Sequence, residues 1–154
     1  MFGLFYTEKI CIMISYIADH LYIGEQVDAQ SPPPFISAVF WTALDPPLTA
    51  PPDIVFGRLP LKEYTEPDLI DFEMGIQWLA RHLPEHNILV ACRVGLGRSP
   101  SLIIAYLCCV QNLSFAEAQE LVTRKRPGTT TLPHLASLIE QLQAITPIPC
   151  PLTC

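Results

Sequence analysis

Hydrophobic residues recur along the chain with two different periods, which divide it into predicted strands and predicted helices. Runs rich in β-branched and aromatic residues predict strands, and they lie at 10–23 (two strands around a turn at 18–20), 35–44, 54–61 and 87–92. The last run, NILVAC, does not alternate polar with apolar residues, as expected for a central strand covered on both faces. The polar and proline-rich segments 25–34 and 45–53 predict loops.

Apolar residues at three- and four-residue steps predict helices. The first covers 66–83, with Pro67 in its first turn, and the others cover 99–111, 114–126 (opening with a Ser114–Glu117 capping box) and 133–145. Strands followed by helices, with a strand–helix crossover in the middle, predict an α/β fold. We expect a single-domain sandwich with a central mixed, mostly parallel sheet flanked by helices. The domain is predicted to span 1–146, and a flexible tail rich in proline and cysteine to span 147–154.

The composition narrows the class of protein. The chain has 154 residues, of which 50% are hydrophobic, so it can form one domain with a substantial core. Its net charge of −6 disfavours broad electrostatic binding to nucleic acid or to an anionic membrane. No apolar run is long enough to span a membrane, and the apolar start lacks the basic residues of a signal peptide. The spacing of the six cysteines is unlike a disulfide framework, which favours reduced thiols and a cytoplasmic location.

The segment CRVGLGRS at 92–99 joins the predicted central strand to an apolar helix. The helix start leaves unpaired backbone N–H groups and the positive end of a dipole in this loop. Gly95 and Gly97 let the backbone curl, so the loop is expected to form a nest for an anion. Cys92 at the rim of the nest should have a lowered pKa, and Arg98 can hold two oxygens of a tetrahedral oxyanion. A nucleophile beside an anion cradle predicts phosphoryl transfer.

Two common phosphate-binding motifs fit this segment less well. A nucleotide-binding loop would require G-K-[ST], and a dinucleotide fingerprint would require a third glycine; both are absent. The structural alternative is a small buried cysteine beside a helix cap. The combined spacing of cysteine, glycines and arginine favours a loop that binds phosphate beside a nucleophile.

The segment resembles the signature loop of the cysteine-dependent protein phosphatases, and its late position in a short chain resembles the small atypical dual-specificity phosphatases. DHLYIG at 19–24 resembles that family's opening strand, SLIIAYL at 101–107 its helix after the loop, and AEAQELVTRKRPG at 116–128 the helix and turn that follow. The resemblance covers roughly residues 17–143. It implies a dual-specificity phosphatase-like fold and hydrolysis of phosphorylated proteins with no metal or other cofactor.

The resemblance also implies roles for individual residues. Cys92 would attack phosphorus and form a phosphocysteine, and Arg98 would stabilise the equatorial oxygens. Ser99 would donate a hydrogen bond to the Cys92 sulfur and ease its release. The phosphate would be held by the backbone amides of Arg93, Val94, Gly95, Leu96, Gly97 and Arg98.

Two catalytic positions depart from the family's pattern. The family's general acid is an aspartate about thirty residues before the cysteine, where this chain has Glu63. Asp68 is the other candidate, although a carboxylate there suits the capping of a helix. Ala91 replaces the histidine that usually precedes the cysteine, so we expect a less lowered pKa of Cys92 and a slow enzyme. The alternative is a catalytically weak or inactive module that captures phosphoproteins.

The remaining features bear on the substrate. Short loops predict a shallow pocket that admits phosphotyrosine and could admit phosphoserine or phosphothreonine. The basic run 124–126 could serve an anionic substrate, but such a run is more typical of a solvated helix end that complements the helix dipole.

Overall fold

The structure is a computed structural model that describes residues 14–145. The start of the first predicted strand, at 10–13, and the predicted tail at 147–154 therefore lie outside the described residues. No helix within the described range is both long enough and apolar enough to cross a membrane.

Within residues 14–145, five strands form one mixed sheet at the centre of the fold. They are β1 (Ser15–Ala18), β2 (Leu21–Gly24), β3 (Ala38–Ala43), β4 (Val55–Leu61) and β5 (Ile88–Ala91). Their order across the sheet is β1-β2-β5-β3-β4, and only the β1–β2 pair is antiparallel. This arrangement confirms the predicted mixed, mostly parallel sheet. The carboxyl ends of β2, β3, β4 and β5 meet at one edge, where α/β folds place their ligand sites.

The central strand is buried on both faces, as its unbroken apolar run predicts. Ile88 and Val90 belong to the larger hydrophobic cluster, whereas Leu89 and Ala91 belong to a smaller cluster on the other face. Four long helices contribute to the larger cluster: α2 (Leu69–His82), α3 (Arg98–Val110), α4 (Phe115–Lys125) and α5 (Leu135–Ile145). In α3 every residue except Cys109 is buried, so the prediction of an apolar, buried helix is confirmed.

Two predictions about helix positions are wrong. The sequence predicts a loop at 25–34, but this segment contains a short helix, α1 (Gln26–Gln30). Its start is fixed by Asp28, whose Oδ2 accepts a hydrogen bond from the backbone N–H of Glu25 at 2.8 Å. The capping hydrogen bonds stabilise this short helix although its sequence shows no apolar face. The sequence also predicts Pro67 in the first turn of α2, but Pro67 precedes the N-cap residue Asp68 and so lies just outside the helix.

Candidate active site

Residues 92–98, hereafter the cysteine loop, connect the carboxyl end of β5 to the first residue of α3. The carbonyl oxygens of five successive residues of this loop accept hydrogen bonds from donors around it. The bonds run from Gln26 N to Arg93 O (3.4 Å), Arg126 Nη2 to Val94 O (3.1 Å), Arg126 Nε to Gly95 O (2.6 Å), Thr130 N to Leu96 O (2.7 Å) and Ser101 N to Gly97 O (3.0 Å).

This pattern determines which way the loop's amides can face. In a peptide unit the C=O group and the N–H group of the next residue point in opposite directions. Because these carbonyls bond to groups outside the loop, the N–H groups that follow them point towards its concave side. The amide of Gly95 shows this orientation, since it donates to the Cys92 sulfur at 3.2 Å. Successive amides facing one centre form a nest that attracts an anion.

Cys92 is 2% exposed and lies on the floor of the cysteine loop rather than at the rim that the sequence predicts. Burial alone raises the pKa of this thiol, and that is the largest single effect on it. The Ser99 hydroxyl, the Ser99 and Gly95 amides and the Arg98 charge together outweigh burial and lower the pKa below 9.0. At any pH near neutrality the thiolate fraction is therefore larger than in an unperturbed cysteine.

The two glycines of the cysteine loop differ in what they require. Gly95 has φ +77°, and a Cβ there would lie 2.6 Å from Gly24 O and 2.7 Å from Arg126 Nη2. Gly97 has φ −128°, and a Cβ there would make only an ordinary contact with Thr130 O at 3.5 Å. Only Gly95 is therefore required by backbone conformation and by close packing.

Gly95→Ala is expected to destabilise the protein by about 2–4 kcal/mol, because strain in the left-handed region adds to two close contacts. The free energy of unfolding in urea would measure this. Gly97→Ala is the matched control and should change that free energy by less than about 1 kcal/mol. Equal losses in the two variants would contradict the assignment of the strained position to Gly95.

Arg98 and Ser99 are both buried at the start of α3. The Nη1 group of Arg98 donates to Leu61 O at 3.2 Å, which ties the cysteine loop to the end of β4. The Ser99 hydroxyl lowers the pKa of Cys92, and its Oγ lies 3.1 Å from Thr42 Oγ1. Thr42 was not singled out from the sequence, because a lone threonine in a strand carries no motif.

The two candidate acids lie in different surroundings. Glu63 is exposed and lines a cavity of about 200 Å³ whose wall also includes Val94, Leu96 and Gly97 of the cysteine loop, although Cys92 itself does not border it. Asp68 caps α2 and accepts hydrogen bonds from Ile70 N at 2.9 Å and Asp71 N at 3.2 Å. It lines a different cavity, together with Pro60 and Lys62. Glu63, and not Asp68, thus shares a cavity wall with three residues of the cysteine loop.

Arg126 supports the loop, and the interpretation of 124–126 as a solvated helix end is wrong for this residue. It is 6% exposed, and besides its two bonds to the cysteine loop it donates to Ser15 Oγ at 3.0 Å and to Ile23 O at 3.4 Å. Burial lowers the pKa of Arg126, while the Glu25, Cys92 and Asp28 charges raise it. The sequence did hold a signal: Arg126 follows the buried Val122 by four residues, on the face of α4 that packs inward.

Among residues 14–145, no three His, Cys, Asp or Glu side chains are grouped so that they could hold a metal ion.

Comparisons with known proteins find similarity to phosphatases. The profile of the dual specificity phosphatase catalytic domain matches residues 57–144. A dual specificity protein phosphatase 1B from Arabidopsis thaliana is 28% identical over 103 residues, which are 66% of this chain and 60% of that protein. A MAP kinase phosphatase with leucine-rich repeats from Dictyostelium discoideum is 48% identical over 41 residues, or 27% of this chain and 5% of that protein.

A structural comparison supports the fold. The crystal structure of Tk-PTP superposes with a TM-score of 0.75 at 20% identity, and the match covers 87% of this chain and 98% of that one. The profile alone spans more than half of the chain and includes the cysteine loop. The chain therefore belongs to the family of dual specificity phosphatase catalytic domains.

Proposed function

We propose that this chain hydrolyses phosphate esters on proteins, phosphotyrosine first and phosphoserine or phosphothreonine as further substrates. The observation that carries the proposal is the set of five outward-bonded carbonyls around a cysteine whose pKa is lowered. A cradle for a tetrahedral dianion with a thiolate on its floor is suited to phosphoryl transfer and to little other chemistry. The partner we propose is a phosphorylated protein in the cytoplasm, where the reduced thiols expected from the sequence would persist.

The first step transfers the phosphoryl group to the enzyme. The Cys92 thiolate attacks phosphorus, the bond between phosphorus and the ester oxygen breaks, and that oxygen takes a proton from the Glu63 carboxyl group. The amides of residues 93–98 and the Arg98 guanidinium bind the three equatorial oxygens, on which negative charge is concentrated in the transition state. The products of this step are the dephosphorylated protein and a phosphocysteine.

The second step regenerates the enzyme. Water attacks phosphorus, Glu63 takes a proton from that water, and the phosphorus–sulfur bond breaks with its electron pair going to Cys92. The Ser99 hydroxyl favours this step because a hydrogen bond to sulfur stabilises the departing thiolate. Inorganic phosphate then leaves, and the enzyme returns to its starting state.

The loop composition bears on the substrate class. Arg93 is exposed and basic, but the fourth residue after Cys92 is Leu96, which offers no charge to a second phosphate. A headgroup with several phosphates therefore meets less positive charge than a singly phosphorylated side chain does. This favours a phosphoprotein over a phosphoinositide as the substrate.

A second candidate function is capture of phosphoproteins without turnover. It is favoured by the burial of Cys92, by Ala91 in place of histidine, and by the exposed position of Glu63. The same amides and guanidinium would bind the phosphate in either case, so binding alone does not distinguish the two functions.

Hydrolysis of para-nitrophenyl phosphate and of a phosphotyrosine peptide in EDTA tests the proposal. Purified, reduced protein should turn over both substrates between pH 5 and 8, and an acid quench with ³²P-labelled substrate should trap label on the peptide that contains Cys92. Binding of the phosphotyrosine peptide with neither turnover nor trapped label would support capture instead.

Glu63→Gln is expected to lower kcat by about 10²-fold with phenyl phosphate, because its leaving group needs a proton. The loss should be much smaller with para-nitrophenyl phosphate, whose leaving group is a weaker base. Asp68→Asn is the matched control, since asparagine also caps helices and should retain full turnover. A loss of kcat in Asp68→Asn without one in Glu63→Gln would identify Asp68 as the acid.

A further inference from the structure

The geometry points to Thr42 as a positioning residue for the nucleophile: its hydroxyl directs the Ser99 proton onto the Cys92 sulfur. This inference deepens the proposed function and rests on it for its catalytic meaning. Thr42 lies on β3 and is 0% exposed. Its Oγ1 is 3.0 Å from Ala91 O and 3.1 Å from Ser99 Oγ. It therefore contacts both the residue before the cysteine and Ser99, whose hydroxyl lowers the pKa of the cysteine.

The number of protons in this group limits its arrangements. Thr42 and Ser99 each carry one hydroxyl proton, so together they can donate two hydrogen bonds. Three bonds are possible: one to the carbonyl of Ala91, one to the Cys92 sulfur, and one between the two hydroxyls. In one arrangement Thr42 donates to Ala91 and Ser99 donates to Thr42, which leaves the sulfur without the hydroxyl. In a second, Thr42 donates to Ser99 and Ser99 donates to the sulfur. In a third, Thr42 donates to Ala91 and Ser99 to the sulfur, which leaves the two hydroxyl oxygens 3.1 Å apart with no proton between them and is disfavoured by repulsion of their lone pairs.

The charge on the sulfur decides between the first two arrangements. A thiolate is a stronger acceptor than a backbone carbonyl, so it favours the chain from Thr42 through Ser99 to Cys92. A hydrogen bond donated to the Ser99 oxygen polarises its hydroxyl and strengthens the bond that Ser99 donates. When the sulfur is protonated or phosphorylated it accepts weakly, and the Thr42 proton can return to Ala91. Thr42 thus stabilises the anionic sulfur more than the neutral one.

Several charges also act on Cys92 and must be kept constant in a test. Arg98 at the start of α3 lowers its pKa, and Arg126 at the end of α4 interacts with it directly. Glu25 and Asp28, at and near the start of α1, act in turn on Arg126. Thr42 is neutral, so replacing it leaves all of these charges in place. A change in the titration of Cys92 then reports the hydroxyl chain.

Thr42→Val removes the hydroxyl and keeps the shape of the side chain. Alkylation of Cys92 by iodoacetamide, followed across pH by peptide mass spectrometry, measures the thiolate without any need for turnover. Burial raises the pKa of Cys108 and of Cys109 to about 11, so these two thiols serve as slow internal references. We expect Thr42→Val to shift the alkylation profile to higher pH, and Thr42→Ser to restore the wild-type profile.

The double variant with Ser99→Ala separates a hydroxyl chain from a structural role. If Thr42 acts through Ser99, Thr42→Val should add no further shift in the Ser99→Ala background. Turnover of para-nitrophenyl phosphate should fall about 3- to 10-fold in kcat in Thr42→Val, with little change in KM. If Thr42→Val does not fold by circular dichroism, Thr42→Ala provides the same comparison.

Two results would overturn the inference. One is an alkylation profile of Thr42→Val that equals the wild-type profile, and the other is a shift caused by Thr42→Val that persists in the Ser99→Ala background. A shift that Ser99→Ala abolishes, in a wild-type protein that shows no phosphatase turnover, would support the hydroxyl chain and reject the proposed function. The reverse pattern, turnover with an unshifted profile, would support the function and reject this role for Thr42.

Discussion

Cys92→Ser is expected to abolish turnover of para-nitrophenyl phosphate, with a loss of about 10⁶-fold or to the limit of detection. A serine hydroxyl is not ionised at neutral pH, so the amides and the Arg98 charge that favour a thiolate cannot produce an anionic nucleophile. The carbonyl bonds that shape the cysteine loop do not involve the sulfur. Binding of a phosphotyrosine peptide, measured by calorimetry, should therefore survive the substitution.

Cys109→Ser is the matched control for this loss. Cys109 is a partly exposed residue of α3, and its replacement should leave kcat unchanged. Turnover that persists in Cys92→Ser would show that another group is the nucleophile. Peptide binding lost together with turnover would instead show that the sulfur shapes the cysteine loop.

The same substitution should change how stability depends on pH. The folded state lowers the pKa of Cys92 below the 9.0 of an unperturbed cysteine, so between those two pKa values the unfolded chain binds more protons. The free energy of unfolding of the wild type should therefore rise with pH across this window, and the contribution should be lost as pH falls through the folded pKa. Cys92→Ser should lack this rise, which urea titrations at several pH values would show.

The parts of the fold that the sequence predicts are those that local patterns encode. The unbroken apolar run of β5, the all-apolar α3 and the capping box at the start of α4 each follow from residues close together in the chain. The helix α1 escaped prediction because five residues are too few to show a period, and reciprocal capping alone defines its start. The prolines at 32–34, directly after this short segment, favour the prediction of a loop.

The cysteine loop is predictable for the same reason, but the residues that hold it in place are not. Cys92, Gly95 and Arg98 lie within seven positions of one another. Arg126 contacts Ser15 and Ile23, which lie 111 and 103 positions away, and Thr42 reaches Ser99 across 57. Such contacts exist only once the sheet has formed and brought its edge beside α3 and α4.

Arg126→Met is expected to impair both folding and catalysis, because it removes the donors that hold two carbonyls of the cysteine loop. Val94 O and Gly95 O would lose the hydrogen bonds from Arg126, and so would Ile23 O. Leaving a buried carbonyl unpaired costs about 1–3 kcal/mol, so we expect a total loss of about 3–5 kcal/mol in the free energy of unfolding. A loop whose carbonyls can turn inward no longer presents its amides to phosphate, and kcat/KM should fall by about 10²-fold or more.

Three comparisons separate this positioning role from a general loss of stability. Arg124→Met, an exposed arginine at the same end of α4, should leave unfolding and turnover unchanged. Arg126→Lys keeps the charge but not the planar fork, so it should preserve the lowered pKa of Cys92 better than Arg126→Met while recovering little turnover. Millimolar guanidinium added to Arg126→Met should restore part of the turnover if the empty site admits it. Equal behaviour of Arg126→Met and Arg124→Met would mean that the cysteine loop holds its shape without the buried guanidinium.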